Sequence, residues 1–345
     1  MAHKIALPMS LATGVGAVPH TDPVAACDMV LSQFPRFPFV PTLPNRGLRE
    51  GIVFAESAQL PGGILHEGRL TVDTTRDHGA AIEQVYQDYL GGDVTRYGAG
   101  PEYASGLDEM LHRCLADAQT VKCQVTGPVT FGMQVTDSAK RPLLYDAEYA
   151  DMLGKMLALR ARWCEQVLQD RTGAKETVVV LNEPYLASIG SSVVPVDPEL
   201  VRSLHEDIFS FLEGGVGIHC CSNTDWAFVL EERPSVVSFD AYANAREFLL
   251  YMDHICSYLE SGGVIAWGIV PAEFQVFSTV SRDVLYEKMS AIRTAMTAHV
   301  DEDLFFQQTL VTPTCGIRFG GTGAAEQILG TAAWISSELR REYLA

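Results

Sequence analysis

Basic residues are scarce in this sequence. Lysine and arginine total 25 against 43 aspartates and glutamates, for a formal net charge of −18. A surface that neutralises nucleic-acid phosphates needs the opposite balance, so a nucleic-acid partner is excluded. An anionic substrate would have to be held by local dipoles or by a metal. Long apolar runs are missing as well. No stretch approaches the roughly 18–20 uninterrupted apolar residues that cross a bilayer, and the first apolar run is broken by Pro8, short of a signal-peptide core. The expectation is a cytoplasmic protein with no membrane partner, its eight cysteines reduced. There is no C-x₂-C pair of the kind structural zinc uses, and no G-x-S-x-G, P-loop or H-E-x-x-H motif. The G-x-G at 14–16 lacks the third glycine of a dinucleotide fingerprint and runs into Pro19.

What is present is a sizeable core: 47% of the 345 residues are hydrophobic and 20% charged. That length suits one large α/β barrel or two modest domains. No linker composition divides the chain, so 1–345 reads as a single domain. Short β-branched runs alternate with longer helical patterns. The predicted strands are 12–18, 37–41, 121–126, 177–182, 216–221, 235–240, 263–268 and 307–312. Predicted helices cover 24–33 (opened by Asp22-Pro23), 146–170, 198–213, 224–232, 245–260, 281–298 and 323–342. Eight β-then-α units favour a (β/α)₈ TIM barrel, with an open doubly wound sheet as the alternative. Residues 42–120 are too long for one unit and read as an insertion after strand 2, with LPGGILHEGRLTV as a hairpin.

Active sites of such barrels lie at the C-terminal ends of the strands, and two of those ends stand out. In VGIHCCSNTD (216–225), side-chain alternation puts His219 and Cys221 on one side of a strand and Cys220 on the other. Cys315, in VTPTCG, closes the last strand in a Pro-x-Cys-Gly turn. One imidazole and two thiols from separate strands would make a zinc site with an open position, the form catalytic rather than structural zinc takes. Thiolate-rich ligation suits activating a substrate thiol better than splitting water. From the residues alone, a core histidine beside core cysteines remains the competing reading. The other five cysteines (27, 114, 123, 164 and 256) read as small core hydrophobes.

These motifs resemble the C-terminal catalytic barrel of cobalamin-independent methionine synthase, in the superfamily that also holds uroporphyrinogen decarboxylase and the corrinoid:thiol methyltransferases. TGVGAVPHTDP (13–23) is similar to that family's opening loop, VVVLNEP (178–184) to its strand-4 Asp-Glu-Pro motif, and GIHCCSNTD with VTPTCG to its zinc motifs. The resemblance runs from about residue 11 to 335. It implies methylation of a zinc-bound thiol, homocysteine giving methionine. His219, Cys221 and Cys315 would be zinc ligands, with Asp240 either a displaceable fourth ligand or a loop cap. The loop around Gly16 and Ala17 would contact the amino acid, Asn182 and Glu183 would bind its ammonium group, and no catalytic residue is expected beyond the ligands.

The departures from the family are informative. Asn182 stands where the family has aspartate, and AWGIVPAEFQVF (266–277) lacks the histidine that protonates a departing folate nitrogen. The expectation is also of a chain without the duplicated N-terminal half of the folate-dependent enzyme. A tertiary-amine leaving group needs that acid, whereas Co(I) does not. The expected donor is therefore methylcobalamin or a methyl-corrinoid protein partner. Alternatives are a coenzyme M-type acceptor, a non-catalytic partner of a corrinoid protein, or a uroporphyrinogen decarboxylase-like enzyme, whose opening-loop arginines are not matched here because Arg36, Arg46 and Arg49 follow strand 2 instead. His20, Tyr242 and Trp267 read mainly as structural, with the two aromatics as candidate floors for a flat ligand.

Overall fold

The computed structural model describes residues 5–188 and 195–344. In chain order its strands are β1 (Gly63–His66), β2 (Arg69–Val72), β3 (Val121–Thr126), β4 (Thr136–Asp137), β5 (Thr177–Asn182), β6 (Gly215–Cys220), β7 (Val236–Phe239), β8 (Val264–Val270) and β9 (Thr309–Pro313). Six of them, in the order β3-β5-β6-β7-β8-β9, form one curled parallel sheet, an α/β arrangement of the TIM-barrel type. These strands are buried on both faces, which is why they read as near-continuous apolar runs. β3 and β5 have the predicted bounds, and the other four are displaced by one or two residues.

Predicted strands 12–18 and 37–41 are extended chain joined by isolated bridges, and form no regular ladder. Thr13 N–H donates to Val311 O at 3.0 Å, Val18 N–H to Thr42 O at 3.0 Å, and Val40 N–H to Lys122 O at 2.7 Å. Both edge strands, β9 and β3, are thus contacted by these segments. Two features keep the pairing sparse. Pro38 and Pro41 have no N–H to give, and Gly14 lies under the Phe39 ring so closely that a Cβ would sit 2.2 Å from it.

The helical readings hold where caps are strong. Asp22 accepts from Val24 N–H ahead of helix Pro23–Gln33, with proline at its first position. Asp146 accepts from Glu148 and Tyr149 N–H to open the 26-residue helix Ala147–Thr172, which ends on Gly173 in the left-handed region. Segment 42–120 contains the expected hairpin: β1 and β2 pair antiparallel around Glu67 and Gly68, both at positive φ. It also holds more than was legible, namely 3₁₀ turns at Leu48–Glu50 and Phe54–Gln59 and helices Gly79–Gly91 and Pro101–Met110. Among the described residues no helix is long and apolar enough to cross a membrane.

Helix Pro101–Met110 sits against the second extended segment at Gly106, where a Cβ would lie 1.9 Å from the Pro41 carbonyl oxygen. Backbone cannot yield as a flexible side chain can. Gly106→Ala should therefore cost about 1–3 kcal/mol of overpacking strain. Gly91→Ala, with nothing within 4 Å of the added carbon, should instead stabilise by about 0.5–1 kcal/mol. Urea unfolding of the two variants measures the contrast.

Candidate metal centre

β6 delivers the first two members of the site. Its inward positions are Gly215, Gly217 and His219, and Cys221 follows on the same side just past the strand end. Cys220 points the other way, with its thiol 3.4 Å from Ser222 O and pushed up to about 12 by burial. The expected alternation is therefore met. Cys315 follows β9 in a turn pinned on two sides. Thr314 N–H donates to Val270 O, and Ile317 N–H donates to Ala17 O, both at 2.8 Å. Gly316 leaves room for Ala17, whose Cβ would be 2.8 Å from an added methyl.

The ligand atoms of His219, Cys221 and Cys315 lie within 4.8 Å of one another. Tetrahedral zinc with Zn–S near 2.3 Å places two sulfurs about 3.8 Å apart, so the group is of the right size. His219 is buried, its Nδ1 is 2.9 Å from Ser238 Oγ, and among the described residues its Nε2 has no hydrogen-bond partner. An orphaned buried nitrogen costs about 1–3 kcal/mol, a cost that metal coordination removes. Ser238 holds the Nδ1 side of the ring, which leaves Nε2 as the nitrogen turned toward the two thiols. The Cys221 thiol is pushed well down by a hydrogen bond from Cys315 and then by His219. The same contact, followed by burial, pushes Cys315 up. The pair loses its first proton readily and titrates as a unit. One imidazole and two thiols, one already acidic, fit a zinc ion.

Asp240 lies outside this group. Its carboxylate accepts from Ala243 N–H at 2.9 Å and caps helix Ala241–Phe248. Burial pushes its pKa up, and Cys221 adds to the shift, so the two groups do feel each other.

Above the three residues is a cavity of about 200 Å³. Gly16, Ala17 and Asn182 line it, as expected. Gly16 N–H donates to Gln124 Oε1, and Gln124 Nε2 donates to Asn182 Oδ1, which leaves the Asn182 amide nitrogen as its donor toward the cavity. Glu183 is not brought to the cavity. It is fully buried, accepting from Val129 N–H at 2.9 Å and from Thr130 N–H at 2.8 Å, with His205 Nε2 at 3.3 Å. Alternation explains the correction: Asn182 ends β5 facing inward, and the next residue must face outward. Trp267 likewise turns away from the cavity and packs among Phe239, Phe248 and Phe305. Tyr242 lies under Lys288 on its helix, and His20 is buried off the cavity with its pKa lowered by burial. Arg36 bonds Gln119, Arg46 pairs with Glu50, and Arg49 covers the Tyr103 ring, so none of them forms an anion clamp in the cavity.

Several lining residues escaped sequence reasoning. Gln124 and Thr126 had a signal, since β3 alternates Lys-Gln-Thr with Val-Cys-Val and the polar set faces inward. Glu50, Glu56 and Arg318 had none. Glu50 accepts from Ser105 Oγ at 2.6 Å, and Glu56 pairs with buried Arg160 at 2.8 Å. These carboxylates reach the cavity only because residues 48–59 fold back across it.

No family model matches the sequence, and no curated protein sequence is detectably similar to it. Solved structures are similar in fold. A B12-independent methionine synthase from Shewanella sp. W3-18-1, in complex with selenomethionine, superposes with a TM-score of 0.59 at 14% identity, covering 98% of this chain and 99% of its own. A Listeria monocytogenes protein assigned as a vitamin-B12-independent methionine synthase gives 0.56 at 12% identity, covering 97% and 99%. At such identities the likeness establishes the TIM-barrel-type fold over the full length of each chain.

His205 bridges Glu183 and Glu232, with Nδ1 2.9 Å from the latter. Burial opposes the imidazolium, but Glu232 and then Glu183 overcome it and raise its pKa from 6.5 to about 10. The folded state therefore holds a proton that the unfolded chain has lost between those values. Stability from this network is fully present below pH 6.5 and drains away as pH rises toward 10. Denaturant unfolding should show that decline, and His205→Gln should flatten it.

Proposed function

We propose that this chain is a zinc-dependent thiol S-methyltransferase that methylates homocysteine to methionine. The single observation that carries the reading is the convergence of His219 Nε2 and the Cys221 and Cys315 thiols on one point at the mouth of a TIM-type fold. In this reading 1–345 is one domain. The extended segments 12–18 and 37–41 close the six-stranded sheet into a (β/α)₈ barrel, through the bridges to β9 and β3, and 42–120 is the insertion after strand 2.

His219, Cys221 and Cys315 would hold the zinc. Bound there, it would supply Lewis acidity that lowers the pKa of a substrate thiol while leaving the sulfur nucleophilic. The chain's own residues do the positioning. The cavity of about 200 Å³ suits an amino acid and is small for a tetrapyrrole, and Arg318 is the arginine that lines it. Both points weigh against the decarboxylase reading. An amino acid's ammonium would face Glu50 and Glu56, in place of Glu183, and its carboxylate the Asn182 amide and Arg318. Asp240 would act as a helix cap that also repels a neighbouring thiolate, with ligation to the metal as a secondary role.

For the methyl donor we propose a methylcorrinoid carried by a separate protein, because among the described residues the cavity lining offers no histidine besides His219 to protonate a departing amine. A second reading, a corrinoid-free donor such as methyltetrahydrofolate, is favoured by the B12-independent naming of the two structural neighbours.

Purified protein should contain about one zinc per chain. Cys221→Ser, Cys315→Ser and His219→Ala should each lose most of it, and Asp240→Asn should keep it. Metal retained in all three of the first set removes the proposal. With homocysteine, turnover on methylcobalamin but not methyltetrahydrofolate supports the corrinoid donor, and the reverse supports the second reading.

A further inference from the structure

Beneath the candidate metal centre the inner face of the sheet holds a lysine with no ionic partner among the described residues. Lys122 is 4% exposed. It opens into a small internal cavity of about 10 Å³, close to the room one water needs. Every lining residue is buried, and among the described residues no other ionisable side chain lines the cavity. Three hydroxyls face it, those of Thr13, Ser238 and Thr312. Thr13 Oγ1 and Thr312 Oγ1 have no hydrogen-bond partner among the described residues. Ser238 belongs to both levels, because its Oγ is 2.9 Å from His219 Nδ1.

An ammonium buried without a carboxylate is expensive, and burial pushes Lys122 down to about 7. Among the described residues its one electrostatic neighbour of note is its chain neighbour Cys123. Methionine in its place would fill the same space at lower cost. Stability therefore does not account for a lysine here, and the charge above it offers a reason. Two thiolates cancel a divalent cation. A third, brought by the substrate, makes the centre a net anion, whereas the thioether product leaves it neutral.

We propose that Lys122 is a positioning residue that supplies the counter-charge for the thiolate-bound state of the centre, acting across its water-sized cavity and Ser238. This rests on the function proposed above. The lysine favours the anionic substrate complex over the neutral product complex, so it tightens thiol binding and leaves thioether binding alone. The coupling is reciprocal, and a bound thiolate makes Lys122 hold its proton to higher pH.

The test uses the full chain loaded with cobalt(II), whose sulfur-to-metal absorption reports thiol binding, and compares wild type with Lys122→Met and Lys122→Gln. Both variants should keep full metal content and an equal or higher Tm. Their homocysteine affinity at pH 7 should fall on the order of tenfold, the scale of one charge acting at an effective dielectric of about 20. The pH at which the absorption band develops should move upward, and calorimetric methionine affinity should not change. Equal loss of homocysteine and methionine binding, loss of metal, a lowered Tm, or no change in either affinity would each overturn the counter-charge role. If Lys122→Met does not fold, Lys122→Gln decides the matter alone. A wild-type protein that binds no metal, or binds metal and shows no thiol band, removes the proposed function, and this inference with it.

Discussion

His219 can present Nε2 to the two thiols because Ser238, on the neighbouring strand, holds its other nitrogen at 2.9 Å. That contact follows from register: His219 and Ser238 are paired positions of β6 and β7. Parallel strands in register place residues of the same phase on the same face. The inner face of this sheet consequently gathers His219, Ser238, Asn182, Gln124 and Lys122 in successive levels. The outer face receives the aromatic layer of Trp226, Phe239, Phe248 and Trp267. The polar residues of the site are thus sorted by a geometric rule before any of them meets a ligand.

A second polar system braces the mouth from outside. The Glu183 carboxylate ties the end of β5 to the backbone of Val129 and Thr130, and His205 links it onward to Glu232. Gly127 permits this approach, since a Cβ there would lie 2.2 Å from the Glu183 carboxyl carbon. Truncating one member of such a buried ionic chain costs more than the chain gains when intact. The network fixes where Asn182 stands and does not itself touch the cavity. The Asn-Glu-Pro motif therefore divides its work, with one residue turned to the cavity and the next to the scaffold.

How much was legible depended on whether a feature was local. β3 and β5 could be read to the residue because each is a bounded apolar run of strand length. The first two extended segments were placed correctly along the chain, but proline and a glycine under Phe39 thinned their hydrogen bonding. The His-x-Cys pair was legible through alternation, and Cys315 through its turn. Asp240 could be read as ligand or cap, and its bond to Ala243 N–H now gives the capping role a definite partner. The assignment of Glu183 to substrate missed that adjacent residues at a strand end face opposite sides.

The sequence by itself determined the α/β class, the strands of the parallel sheet and the three residues that could share a metal, because each rests on short-range periodicity and on side-chain chemistry. Only the tertiary structure decided that those three donors meet within 4.8 Å, that Glu50 and Glu56 reach the same cavity, and that Lys122 lies beneath it with no counter-ion among the described residues. These are contacts between segments far apart in the chain. They depend on how the sheet curls and how residues 48–59 fold back over its mouth, and no local pattern encodes either.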